Sequence, residues 1–195
     1  DNIISNEIAL QDVLPELQRR PRQGAYVGVG PEQNLSYIAA LKPPIAFIVD
    51  VQRGNLLLHL LYKGLLEISN SRAEFLSAMF CRLRPRTLTI ETPASDLFAA
   101  YGAAAFVRDL EDITLVRVFG QLTRRDGFLL SDADRQQMAK TLHAWCGGGP
   151  NFRGEFGGGP SIPKWAPSYA EMMTQTDPLG RSEEHTSELQ SRFGI

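Results

Sequence analysis

Only two cysteines, Cys81 and Cys146, and three histidines occur in 195 residues. The cysteines lie far apart in the chain and match no metal or redox spacing, so neither a zinc site nor a redox pair is indicated. With so few thiols, a reducing, cytoplasmic setting is the default expectation. The phosphate-cradling GxxxxGK, the zinc-binding HExxH, CxxC and the nucleophile elbow GxSxG are all missing, which removes the commonest hydrolase and nucleotidase classes. A charge excess is missing too. Lys and Arg number 20 against 22 Asp and Glu, a net charge of −2, and counterion release on nucleic acid needs clustered cations. No nucleic-acid partner is therefore expected, and no apolar run reaches membrane-spanning length. The first residue is Asp rather than Met, so the chain reads as starting within a gene or after processing.

What is present is centred on Ala25 to Asp50, AYVGVGPEQNLSYIAALKPPIAFIVD. Apolar, β-rich runs at Ala25–Val29 and Ile45–Val49 read as short buried strands, and Leu35, Ile38 and Leu41 recur between them as one face of a helix would. This is a βαβ unit. Its right-handed crossover puts the turn after the first strand and the end of the second on one edge of a parallel sheet. Gly28 and Gly30 suit a turn that presses backbone against a ligand, Pro31 suits a first helical position, and Asp50, some twenty residues on, suits a ribose. The alternative is that the glycines only allow close helix packing and Asp50 caps the next helix.

In a dinucleotide fingerprint the third glycine would fall at Gln33, and a pyrophosphate would need the N–H that Pro31 lacks. Both features count against a dehydrogenase. An adenosine ligand without phosphates asks less of the helix start, and S-adenosylmethionine is such a ligand. The run YVGVGPEQNLSYIAALKPPIAFIVDVQRGNLLLHLLYKGLLEIS resembles an uncharacterised bacterial family, first named from a leptospiral protein and grouped with class I S-adenosylmethionine-dependent methyltransferases. DNIISNE and GGGPSIPKWAPSYAEMMTQTD are similar to further segments of that family, so the resemblance covers most of residues 1 to 180. It implies an α/β fold, an incomplete Rossmann-like, class I methyltransferase-like parallel sheet. Tyr26 and Glu32 stand where the wider methyltransferase pattern has an acid and a third glycine. The candidate cofactor contacts are Gly28, Gly30, Pro31, Gln33, Asn34, Asp50 and Arg53, with Asn55 close by. The methyl acceptor and the catalytic residues are not legible, and no metal is expected. The alternative function is a non-catalytic module that senses a nucleoside on a methyltransferase-like fold.

Around this unit, Asn2, Ser5 or Asn6 suits a cap for a helix through Ile8, Val13 and Leu14 that ends near Pro15 or Pro21. In methyltransferases a segment before the first strand often closes over the cofactor, which makes Asn6 and Glu7 candidates to line the crevice. Arg53 to Ser69 reads as a helix buried on most sides, on which His59 and Lys63 share a face. They are either a catalytic pair or a core histidine beside a snorkelling lysine. A third strand is expected at Thr87–Glu91. Phe75, Met79 and Leu83 share one helix face, and Ser131 with Asp134 starts a helix through Met138, Leu142 and Trp145. Residues 71–146 thus form a helical insertion into a domain that begins with residues 1–70. Residues 147–180 form a Gly/Pro-rich stretch, a lid or a connector, in which Phe152, Arg153, Glu155, Phe156 and Trp165 lie. Arg181–Ile195 resembles the translation of a sequencing adapter and is set aside. Without its two arginines and three glutamates, 18 basic and 19 acidic side chains remain of the 20 and 22. The remaining strands of the sheet would then follow Gly180, and two strands alone would leave the fold unstable or partly molten.

Overall fold

The computed structural model describes residues 10–153 and 167–174. Asn6, Glu7, Glu155, Phe156, Trp165 and the stretch after residue 174, with His185 in it, lie outside the described residues.

Helix α1, Leu10–Arg19, runs through Pro15 rather than ending there, and stops just before Pro21. Strand β1, Ala25–Gly28, leads through the glycine turn to α2, Gln33–Leu41. Pro31 is therefore not a first helical residue. The turn Gly30–Glu32 precedes the helix, with Glu32 at its N-cap. Lys42 ends α2 in the left-handed region and donates its N–H to Ile38, and Pro43 and Pro44 prevent any continuation. Strand β2, Ile45–Ile48, follows, and pairs in parallel with β1 in the register Ala25↔Ile45 to Gly28↔Ile48. The parallel βαβ unit expected from spacing is present.

Its strands are not buried. Val27, Val29, Ile45, Phe47 and Val49 all project from one face of the sheet, and Val27 and Phe47 remain 66% and 50% exposed. The strand sequence is apolar enough for a covered face, and among the described residues no layer covers it. Thr87–Glu91 forms turns rather than a third strand, closed by the Thr89 N–H donating to Thr92 Oγ1 at 2.8 Å and the Thr92 N–H donating back to the Thr89 carbonyl at 3.3 Å.

The helical part is different in kind. Helix α3, Arg53–Glu67, is buried at Leu57, Leu58, Leu60, Leu61, Tyr62, Gly64 and Leu65, so the leucine pattern was a sound guide. Around it pack α4, Arg72–Phe80, α6, Arg108–Gly120, and α7, Asp132–Gly148. A Cβ on Gly64 would lie 2.7 Å from Val118, so this glycine sets how closely α3 and α6 approach. Tyr62 and Trp145 pack ring to ring with centroids 5.0 Å apart. Leu83 leaves the face expected for it, because α4 stops at Cys81 with a positive φ of 52°, and the leucine is exposed. Helix α5, Ala94–Ala103, joins α4 to α6, and α8, Tyr169–Met173, brings Tyr169 against Phe80 and Phe98.

Ser131 and Asp134 cap α7 reciprocally, and Met138, Leu142 and Trp145 are buried as read. The helix then runs on through Gly147 and Gly148 into a short 3₁₀ turn, Gly149–Asn151, where sequence composition argued for no regular element. Two contacts hold it there. Cys146 is joined to Cys81 in a disulfide whose Cα atoms are 5.0 Å apart, so cysteines 65 residues apart in sequence are neighbours in space. The buried Arg82 donates to the carbonyls of Phe80, Ala104 and Cys146, gathering the ends of α4, α5 and α7 around one guanidinium.

Candidate functional site

The turn between β1 and α2 is organised by its own side chains. Gly30 takes a φ of +90°, which a residue with a Cβ rarely adopts. Its N–H donates to Asp50 Oδ2 at 3.2 Å, across twenty residues of sequence. Asp50 also accepts from the Gln52 N–H at 2.8 Å and the Asn55 amide at 2.7 Å. These donors, Gln52 first and Asn55 next, hold its carboxyl below the ordinary range. The turn and the acid thus share one rim, and the same acid also steadies the start of α3.

Gly28 and Asn34 act on the turn from inside. A Cβ on Gly28 would fall 1.9 Å from Asn34 Oδ1, so the glycine gives its space to Asn34 and to Tyr26, whose hydroxyl donates to that oxygen at 2.7 Å. The Asn34 amide donates to the carbonyls of Val29, Gly30 and Pro31, and the residue is 1% exposed. From the other side His59 Nε2 meets the Gly30 carbonyl at 2.8 Å. A carbonyl oxygen can only accept, so it is Nε2 that carries the donating N–H. Gln33 lies over Gly30, its Nε2 2.9 Å from where a Cβ would be.

Two candidates are drawn elsewhere. The guanidinium of Arg53 forms a fork with Asp134 at 2.6 and 2.7 Å and ties α3 to the start of α7 rather than meeting Asp50. With Ser131 adding two further bonds, the fork holds the Asp134 carboxyl far below its ordinary range. Lys63 pairs with Glu67 and, at 3.2 Å, with Asp126, so it forms no unit with His59. Among the described residues no group of His, Cys, Asp and Glu is arranged to hold a metal.

Residues 2–90 match the family model of a domain of unknown function, DUF7790. No curated protein and no solved structure matches the chain. The DUF7790 segment takes in the turn, Asp50, α3 and α4, whereas α5 to α8 lie beyond it. Within it, three side chains have surroundings that sequence reasoning did not assign to them. Tyr26 and His59 brace the turn, and Glu32, which fills the third-glycine position, is buried near Tyr62. Burial pushes the Tyr62 hydroxyl well up, with Tyr169 and Glu32 adding to it. An asparagine four residues after a turn glycine was the available signal, since its amide is placed to bond the turn carbonyls.

Proposed function

We propose that the chain is an S-adenosylmethionine-dependent, methyltransferase-like protein whose β1–α2 turn and Asp50 hold the adenosine end of the cofactor, with the acceptor unassigned. The observation that carries this reading is the Gly30 N–H to Asp50 bond at 3.2 Å, which joins turn and acid at the same end of two parallel strands. Asp50 Oδ1 accepts the Gln52 N–H at 2.8 Å, and a carboxylate oxygen has a second lone pair with which a ribose hydroxyl would bond. The contact set is then Gly30, Gln33, Asp50 and Asn55. Gly28, Pro31 and Asn34 shape the turn, and Arg53, tied to Asp134, is outside the contact set. When bound, the cofactor supplies an electrophilic methyl group, and the chain's part is to hold the nucleoside in register with an acceptor.

Isothermal titration of S-adenosylmethionine into the full chain tests this. Saturable binding that weakens about tenfold or more in Asp50→Ala is expected, since a ribose–carboxylate hydrogen bond is charge-assisted. No saturable heat from the unmodified chain overturns it. A second reading, a nucleoside-binding module without chemistry, is favoured by one feature. The side chains best suited to move a proton are engaged internally, His59 with Gly30 and Lys63 with Glu67 and Asp126. Binding without methyl transfer to any acceptor class selects that reading.

No described helix is long and apolar enough to cross a membrane. A cytoplasmic setting belongs to the same proposal, although structural disulfides rarely persist there. Counting free thiols at Cys81 and Cys146 in chain trapped by alkylation at lysis checks it.

A further inference from the structure

A groove of about 500 Å³ opens between the start of α3, the segment Gln121–Leu130 and the start of α7. We propose that it binds a small carboxylate carrying an aromatic or branched apolar body, independently of any cofactor at Asp50. Its apolar wall is Phe128, Leu129 and Leu130, of which Leu129 is 95% exposed and so open to a ligand. Its polar side is two guanidiniums, Arg53 and Arg135, against a single carboxylate, Asp134.

The charges do not cancel. Arg53 uses Nε and Nη2 on Asp134, and the Ser131 N–H and hydroxyl take up further capacity of the same carboxylate. Arg135 lies over the Phe119 ring at 5.1 Å, and among the described residues no carboxylate forms an ion pair with it. Stacking on a ring leaves the edge donors of a guanidinium available, and their planar fork matches a carboxylate. The groove thus offers one uncompensated cation beside an apolar wall, the complement of an anion with an apolar body.

A second, independent feature points to the same place. The wall of the groove beside Thr123 is a π-helix, Gln121–Arg125, inserted after α6 and closed by the Asp126 N–H on the Gln121 carbonyl at 3.1 Å. Such turns are rare and are found frequently at functional sites. Directly after it, Phe128 and Leu129 are exposed rather than in the core.

Titration of 3-phenylpropionate into the ¹⁵N-labelled full chain, followed by amide shifts, tests the proposal. Saturable shifts at Leu129, Leu130 and Ser131 are expected, with affinity about tenfold weaker for the neutral 3-phenylpropionamide and for the carboxylate on Arg135→Gln. Absence of saturable shifts at those amides, or equal affinity for acid and amide on the unmodified chain, overturns it. The acid-against-amide comparison needs no variant, so it decides the matter even if Arg135→Gln folds badly.

Discussion

The helices packed on α3 and the βαβ unit before them are built from the same aliphatic residues and treat them in opposite ways. Leu61 and Leu65 on α3 are fully buried, whereas Val27, Ile45 and Phe47 on the strands stand at least half exposed. Periodicity specifies which residues share a face, but a second layer must exist before that face is removed from water. In the helical part the second layer is α6 and α7, so apolar burial carries the stability. In the βαβ unit the turn is held by polar bonds instead, the Asn34 amide on three carbonyls and Asp50 on the Gly30 N–H. One part is fixed by area and the other by hydrogen-bond geometry, and perturbations separate them.

The largest expected effect is on the helical part. The Cys81–Cys146 bond closes a loop of 65 residues, and removing it as Cys81→Ser with Cys146→Ser frees chain entropy worth about 4 kcal/mol. Chemical denaturation with and without reductant measures this. A loss of under about 1 kcal/mol would show that the loop is closed equally well by packing around Arg82. Next comes Gly28→Ala, where the added carbon would displace Asn34 and strip the turn of its amide bonds. It costs about 1–3 kcal/mol, while Gly102→Ala on α5, where nothing lies within 4 Å, is neutral or stabilises by up to about 1 kcal/mol. If both changes cost the same, the glycine turn is not polar-determined as described.

A bond within the helical part, between α3 and α7, has its own signature in acid. Arg53 holds the Asp134 carboxyl below its unfolded value, so its contribution is full above about pH 4 and drains away as pH falls toward the folded value. Arg53→Gln should therefore flatten the loss of stability below about pH 4, read as a smaller shift of the thermal midpoint between neutral and acid solution. An unchanged acid limb would mean that Ser131 alone holds the carboxylate.

These contrasts also explain what could be read in advance. The parallel βαβ unit, the one-rim placement of Gly30 and Asp50, the buried leucines of α3 and the Ser131–Asp134 cap all follow from spacings under about twenty residues. What escaped lies across longer separations. The Arg53–Asp134 fork spans 81 residues, the disulfide spans 65, and each redirected a side chain whose local setting allowed another role. Gly147 and Gly148 are helical because tertiary ties hold α7 past its natural end, an override of propensity. Pro31 missed its helical position by two residues, within the usual uncertainty of a helix start.

The smallest expected effect is the sharpest check on the comparison. Val27→Thr swaps a methyl group for a hydroxyl on the open sheet face, at a residue 66% exposed and still β-branched. With the face in water, the change removes almost no buried area and leaves no polar group unsatisfied, so stability should move by less than about 0.5 kcal/mol. The same exchange at Val118, buried between α3 and α6, puts a hydroxyl into the apolar core and costs about 1–3 kcal/mol. Denaturation midpoints of the two variants, measured together, give the ratio. Near-equal losses would mean that in solution Val27 is covered as thoroughly as Val118, and the division between an area-fixed part and a bond-fixed part would fail at the strand meant to define it.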